Sequence, residues 1–307
     1  MLFLTESDVR ELLPMAIAVD RMEAMFRRLA AGESQNQPRH RLILPAGSVL
    51  HYMAAADGAY FGAKIYSTHA RHGAHFLFLL YDAATAAPLA MLEANHLGQI
   101  RTGAASGYAT RLLARADAAT VGVIGSGFQA RTQIAAMRIV RPIRHVKVWS
   151  RSAERRLACA RECDAMPVDT AEQAVRDSDI VITATNSRDP VLDDAWVSVG
   201  THVNAMGSNQ AQRRELPSAL IRRADLIAVD SLEQARLESG DLLLALDPAG
   251  WSSRKIVELK DVSERPSADA VTLFKSNGIA AEDVASAAYV YERAIREGRG
   301  EKLKIYS

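Results

Sequence analysis

The feature that most constrains this chain is Ala119-Thr-Val-Gly-Val-Ile124, an apolar stretch of strand length that runs straight into Gly125-Ser126-Gly127-Phe128-Gln129-Ala130 and then into an amphipathic segment. Strand, glycine turn and helix in immediate succession are what a dinucleotide-binding βαβ unit requires. Gly125 permits the tight turn, Gly127 lets a pyrophosphate approach the backbone, and Ala130 allows the helix to pack close on the sheet. The helix start adds unpaired N–H groups and a positive dipole end. Without that context the glycines would make an ordinary turn. With it, Gly125, Ser126, Gly127, Phe128, Gln129 and Ala130 form a candidate cofactor cradle.

The alternation continues downstream, with strands expected at His145 to Trp149, Ile180 to Ala184, His202 to Met206 and Leu226 to Val229, and helices at Phe128 to Val140 and Ala153 to Cys163. Alternating strands and helices imply a parallel sheet covered on both faces. Upstream the texture differs. Thr5-Glu6-Ser7-Asp8 fits a capping box, and Pro14 opens a longer helix with Ile17, Met22, Met25, Phe26 and Leu29 on one face before Gly32 ends it. From Pro38 to Leu97 short runs separated by Pro, Gly and Asp read as an antiparallel sheet, and Gln99 to Arg115 returns to helix. The fold class is therefore α/β: a Rossmann-like doubly wound parallel-sheet domain over 119-279 and a mixed α+β domain over 1-118, with a last helix from about Ala281 to Gly298.

At 307 residues two domains are the expectation. The 37 basic and 36 acidic residues leave a net charge of +1, so no global field exists to hold nucleic acid or a membrane, and the expected partner is a small molecule. The apolar run Met1 to Leu4 is too short for a signal-peptide core, and no window offers a membrane span. Cys159 and Cys163 match no zinc pattern and read as free thiols in a reducing compartment, so the expected location is cytoplasmic, with no metal site.

Cofactor type depends on the end of the second strand, where an NAD site places a carboxylate on the ribose hydroxyls. Here the chain reads Ser150-Arg151-Ser152, without a carboxylate. Arg151 suits a 2′-phosphate and serves equally as a solvated surface charge. NADP(H) is favoured and NAD(H) remains possible.

In the first domain Arg39, Arg41, Lys64 and Arg101 are cations in otherwise apolar or small-residue segments. Lys64 interrupts the strand Phe61 to Tyr66, and Arg101 opens Arg101-Thr102-Gly103-Ala104, where small residues admit a ligand. A planar guanidinium fork suits a carboxylate. These residues, with Pro38-Arg39, Gly62-Ala63-Lys64, the glycine loop, Asn204-Ala205-Met206-Gly207-Ser208-Asn209, Glu215-Leu216 and Phe274-Lys275-Ser276-Asn277-Gly278, resemble the ornithine cyclodeaminase and mu-crystallin family over nearly the whole chain. That family includes an archaeal type of alanine dehydrogenase and several ketimine or imino-acid reductases. The resemblance implies a homodimer in which the C-terminal segment, about 280-307, returns to the first domain, making it a substrate-binding and dimerisation domain. It implies that Lys64 and Arg101 bind the substrate carboxylate, with Lys64 a candidate proton donor and Arg39 or Arg41 the third cation. His51 falls where some members touch substrate, and Asp283 matches a position near the cofactor, though a helix-start acid is equally explained by the dipole. Thr102, Thr185, Met206 and Gly207 join Ser150, Arg151 and Ser152 as positions expected to line the cofactor.

Two departures from the cyclodeaminase itself stand out. Asn209 occupies the place of an Asp that handles the substrate amino group, and Phe76 stands about where a Thr is expected. An amide can hydrogen-bond a nitrogen but has no useful pKa for acid–base work. The expected reaction is NAD(P)H-dependent reduction of a C=N bond beside a carboxylate, in a cyclic ketimine such as 1-pyrroline-2-carboxylate or an acyclic 2-imino acid. His69 and Arg71, with Arg39, Arg41 and His51, leave a dicarboxylate such as iminosuccinate open. The alternatives are a cyclodeaminase, an alanine dehydrogenase-like enzyme, or a non-enzymatic dinucleotide- or ligand-binding protein.

Overall fold

The computed structural model describes residues 1–253 and 255–305. They form two compact units, Met1–Arg101 with the chain from Gly278 onward, and Thr102–Asn277.

The first unit begins with the strand Leu2–Leu4 and the helix Glu6–Leu12, whose capping box is complete: Thr5 Oγ1 accepts from the Asp8 N–H and Asp8 Oδ2 accepts from the Thr5 N–H. The helix Met15–Ala30 follows, burying Ala18, Val19, Met22, Met25 and Phe26. Its sheet runs Glu301–Lys302, Leu2–Leu4, Pro88–Glu93, Gly73–Asp82, Tyr60–His69, Val49–Asp57 and Ser34–Asn36, with His40–Ile43 also paired to Val49–Asp57. The pairs are antiparallel except Leu2–Leu4 with Pro88–Glu93, so the sheet is mixed. Along Val49–Asp57, His51, Met53, Ala55 and Asp57 are buried while Leu50 and Tyr52 are exposed, the period-two alternation of a sheet with one covered face. The covering element is the helix Ala280–Glu297, buried from Ala280 through Ala288, with the Ala281 N–H donating to Asn36 Oδ1 at 3.2 Å.

The second unit is an all-parallel sheet in the order Met166–Pro167, His145–Trp149, Thr120–Ile124, Ile180–Thr183, His202–Ala205, Thr272–Lys275, Leu226–Val229, Ile256–Glu258. Ile124, Val181, Val203, Ile227 and Leu273 form its dry centre. The strand order reverses between Thr120–Ile124 and Ile180–Thr183, and the carboxyl ends at such a switch point are where doubly wound sheets bind ligands.

The sequence places the change of unit near residue 118, where the strand-and-helix alternation begins. In the structure it falls at 101/102, inside the helix Asn95–Leu113. The second half of that helix joins the parallel-sheet unit: Gln133 Nε2 donates to the Thr102 carbonyl at 3.2 Å, and a Cβ on Gly103 would lie 2.7 Å from the Thr132 carbonyl. An unbroken helix hides such a boundary from composition. No helix among the described residues is long and apolar enough to cross a membrane.

Candidate active site

In the first unit the sequence-singled cations gather under the C-terminal helix. Lys64 points to the covered face of the sheet, where Nζ donates to Asp283 Oδ1 at 2.9 Å. Arg101 Nε reaches the same oxygen at 3.2 Å, and its Nη1 donates to Glu282 Oε2 at 2.6 Å. All four side chains are buried. Two glycines make the room: a Cβ on Gly98 would sit 2.7 Å from Lys64 Nζ, and one on Gly278, at φ +77°, would sit 2.5 Å from Arg101 Nη1. Arg39 Nη2 donates to the Gly278 carbonyl at 3.1 Å, so Arg39 joins this cluster. Arg41 is half-buried and opposite His51 in the strand register.

Burial drives the Lys64 ammonium down to about 8; Asp283 counteracts it, and Arg101 and Arg39 add to it. Burial also opposes ionisation of Asp283, but Arg101 and Lys64 outweigh it and hold the carboxyl below its ordinary range. His51 is pushed down to about 4 by burial and by Arg41 and Arg39, so its imidazole is neutral at pH 7 and is no anion-binding charge. It is hydrogen-bonded to Thr68 Oγ1 at 2.9 Å and stacked on Tyr66, which in turn stacks on Phe76. Lys64 Nζ lies 5.6 Å from the Phe76 ring centroid. His69 and Arg71 lie outside this cluster, at the turn after Tyr60–His69, where the Arg71 N–H donates to His69 Nδ1.

In the second unit the glycine loop has the form its residues predict. Gly125 has φ +122° and a Cβ there would meet the Ala184 carbonyl at 2.4 Å, whereas a Cβ on Gly127 would meet nothing within 4 Å. Gly127 is the N-cap of the helix Phe128–Val140, so open space faces the helix start where a pyrophosphate needs it. Arg131 Nη1 braces the loop from the Ser126 and Gly127 carbonyls at 2.7 and 3.1 Å, and Arg131 is itself paired with Glu162. Ser126 Oγ donates to Ser150 Oγ, Ser150 donates to the Ser152 carbonyl, and Ser152 Oγ caps the helix Ala153–Glu162. Arg151 is exposed. An open helix start and a position that only glycine can fill fit the pyrophosphate of a dinucleotide.

Glu215, whose part the sequence did not disclose, ties together the ends of the next two strands. Its carboxylate accepts from Thr183 Oγ1, the Thr185 N–H and Oγ1, and the Gly207 N–H at 2.6 to 2.9 Å. Asp241 accepts from the Glu215 and Leu216 N–H groups and pairs with Lys275 Nζ at 3.0 Å; Lys275 also donates to the Ser208 carbonyl at 2.6 Å. Glu215, Asp241 and Lys275 are fully buried. Burial, and next the Asp241 charge, raise the Glu215 carboxyl. This network sets the loops carrying Thr185, Met206 and Gly207 and leads into the half-buried Asn209. The lone in-strand Lys275 was a readable signal; Asp241 offered none. Among the described residues no cluster of His, Cys, Asp or Glu is arranged to hold a metal, and Cys159 and Cys163 are free thiols.

Parallel sheet, glycine loop and switch-point loops define a Rossmann-type α/β fold. The chain belongs to the ornithine cyclodeaminase/mu-crystallin family, which matches residues 1–298. It is 34% identical over 323 aligned residues to the alanine dehydrogenase of Archaeoglobus fulgidus, covering 99% of this chain and 98% of that protein. It is 37% identical over 241 residues to a Delta(1)-pyrroline-2-carboxylate reductase of Bacillus cereus, covering 75% and 74%. Among solved structures it is similar to the Delta(1)-pyrroline-2-carboxylate reductase of Thermococcus litoralis in complex with NADH and L-proline, with a TM-score of 0.92, 31% identity and coverage of 99% and 100%.

Proposed function

We propose that this protein is an imino-acid oxidoreductase that reduces a C=N bond beside a carboxylate to the amino acid, with 1-pyrroline-2-carboxylate as the type substrate. The observation that carries the reading is the buried group of Lys64, Arg101 and Arg39, which presents an ammonium and guanidinium groups where water is scarce. Charge-assisted bonds from Arg101 and Lys64 hold the carboxylate and so orient the imine carbon. The dinucleotide, when bound, supplies the hydride. Lys64, with its pKa near 8, is an ammonium at pH 7 and a proton source for the substrate nitrogen. Asn209 contributes hydrogen bonding and no acid–base step.

NADPH is the favoured form in this reading: no carboxylate lies in Ser150–Ser152, and the exposed charge of Arg151 supports a 2′-phosphate. The two free thiols suit the cytoplasm. The test is dinucleotide oxidation by purified protein at pH ~7 with 1-pyrroline-2-carboxylate, NADPH and NADH in parallel. Stoichiometric oxidation is expected, faster with NADPH, and Arg151→Asp inverts the preference; no oxidation with either form of cofactor overturns the reading.

The assembly proposed is a homodimer formed through the uncovered sheet face. There Leu50, Tyr52, Ile65 and Leu77, on three neighbouring strands, are 37 to 47% exposed, a contiguous apolar surface of the kind that marks an interface. The double variant Ile65→Lys/Leu77→Glu is expected to sediment as a monomer where the unsubstituted protein sediments as a dimer. A monomeric unsubstituted protein overturns the assignment.

A further inference from the structure

We infer that Asp283 is the positioning residue of the substrate-binding cations: its single oxygen Oδ1 fixes both Lys64 Nζ and Arg101 Nε, holding ammonium and guanidinium side by side for one carboxylate and keeping the ammonium charged. The identity of the ligand rests on the imine-reduction reading; the positioning role does not.

The geometry leaves Asp283 no other task. Oδ1 takes both cations, and Oδ2 is buried without a hydrogen-bond partner, so the carboxylate serves no backbone group. It does not cap its own helix, whose Ala281 N–H is satisfied by Asn36. Glu282, one residue earlier, reaches Arg101. Gly98 and Gly278 lie close beside the two cations, where a Cβ on either would come within 2.7 Å of Lys64 Nζ and 2.5 Å of Arg101 Nη1.

The groups acting on Lys64 are Asp283 from the helix Ala280–Glu297, Arg101 from the helix Asn95–Leu113, Arg39 from the segment before His40–Ile43, and the Phe76 ring from Gly73–Asp82. Burial and both guanidinium groups disfavour the ammonium, and Asp283 is the opposing charge. The sign follows: Lys64 is charged below its midpoint, and removing Asp283 lowers that midpoint. The alkaline loss of carboxylate binding then begins at lower pH.

The test is an NMR titration of the Lys64 side chain in the cofactor-free protein, alongside the pH dependence of KM for 1-pyrroline-2-carboxylate. In Asp283→Asn the Lys64 midpoint is expected to fall by about one pH unit or more from its place near 8, with the alkaline rise in KM moving equally. Asp283→Glu restores part of the shift, and Glu282→Gln moves it less than half as far. An unchanged midpoint in Asp283→Asn, or an equal shift in Glu282→Gln, overturns the inference. If Asp283→Asn does not fold, the unsubstituted protein decides: the Asp283 carboxyl carbon must inflect at the Lys64 midpoint, and an independent titration overturns the role. Because the titration needs no turnover, absence of imine reduction sinks the functional reading alone.

Discussion

Arg101→Ala is expected to lower kcat/KM for the imine by about 10²–10³-fold, the loss that follows from removing one partner of a buried charged contact. Dinucleotide affinity should stay within about twofold, because the glycine cradle and Arg101 belong to different units. The truncation also removes the Arg101 donor from Glu282, whose carboxylate accepts from it at 2.6 Å. Arg101→Lys is expected to recover little, since a point charge cannot serve Glu282, Asp283 and a substrate carboxylate with the reach of a planar fork. Steady-state kinetics with a dinucleotide titration by fluorescence checks both halves. An unchanged rate would show that the carboxylate is held elsewhere.

Glu215→Ala is expected to destabilise the parallel-sheet unit by about 3–5 kcal/mol, the cost of deleting one member of a buried charged network. Four donors on Thr183, Thr185 and Gly207 lose their acceptor at once. At about 2–4 °C per kcal/mol for a unit of this size, the melting transition drops by about 6–20 °C. Dinucleotide affinity should weaken in parallel, as both loops at the strand ends lose their tie. A melting point within about 2 °C of the unsubstituted protein would mean that water satisfies these donors, and the network would lose its assigned importance.

The glycine loop and the strand alternation were legible because each is local: turn, spacing and periodicity lie within some 20 residues of one another. Lys64 and Arg101 were legible because charged side chains break otherwise apolar or small-residue runs. Their partners were not. Asp283 is 219 residues from Lys64, and Glu215 is 32 from Thr183, distances over which sequence pattern carries no register. Asp283 also had an adequate local explanation as a helix-start acid, and only its geometry shows the two cations it holds. The aromatic run His51–Tyr66–Phe76 depends in the same way on strand register, and a neutral His51 follows from burial that residue identity does not reveal.

The order in which the chain leaves the ribosome gives the helix Ala280–Glu297 another meaning. Lys64 and Arg101 are synthesised long before the acids that neutralise them, and the sheet face beneath them stays wet until that helix arrives. The strand Thr272–Lys275 likewise enters the middle of a sheet whose flanking strands, His202–Ala205 and Leu226–Val229, were made earlier. Neither unit can therefore mature co-translationally in the order of its sequence. Both wait for the same late stretch of chain, and a nascent chain halted before residue 270 carries an open apolar sheet for chaperones to shield.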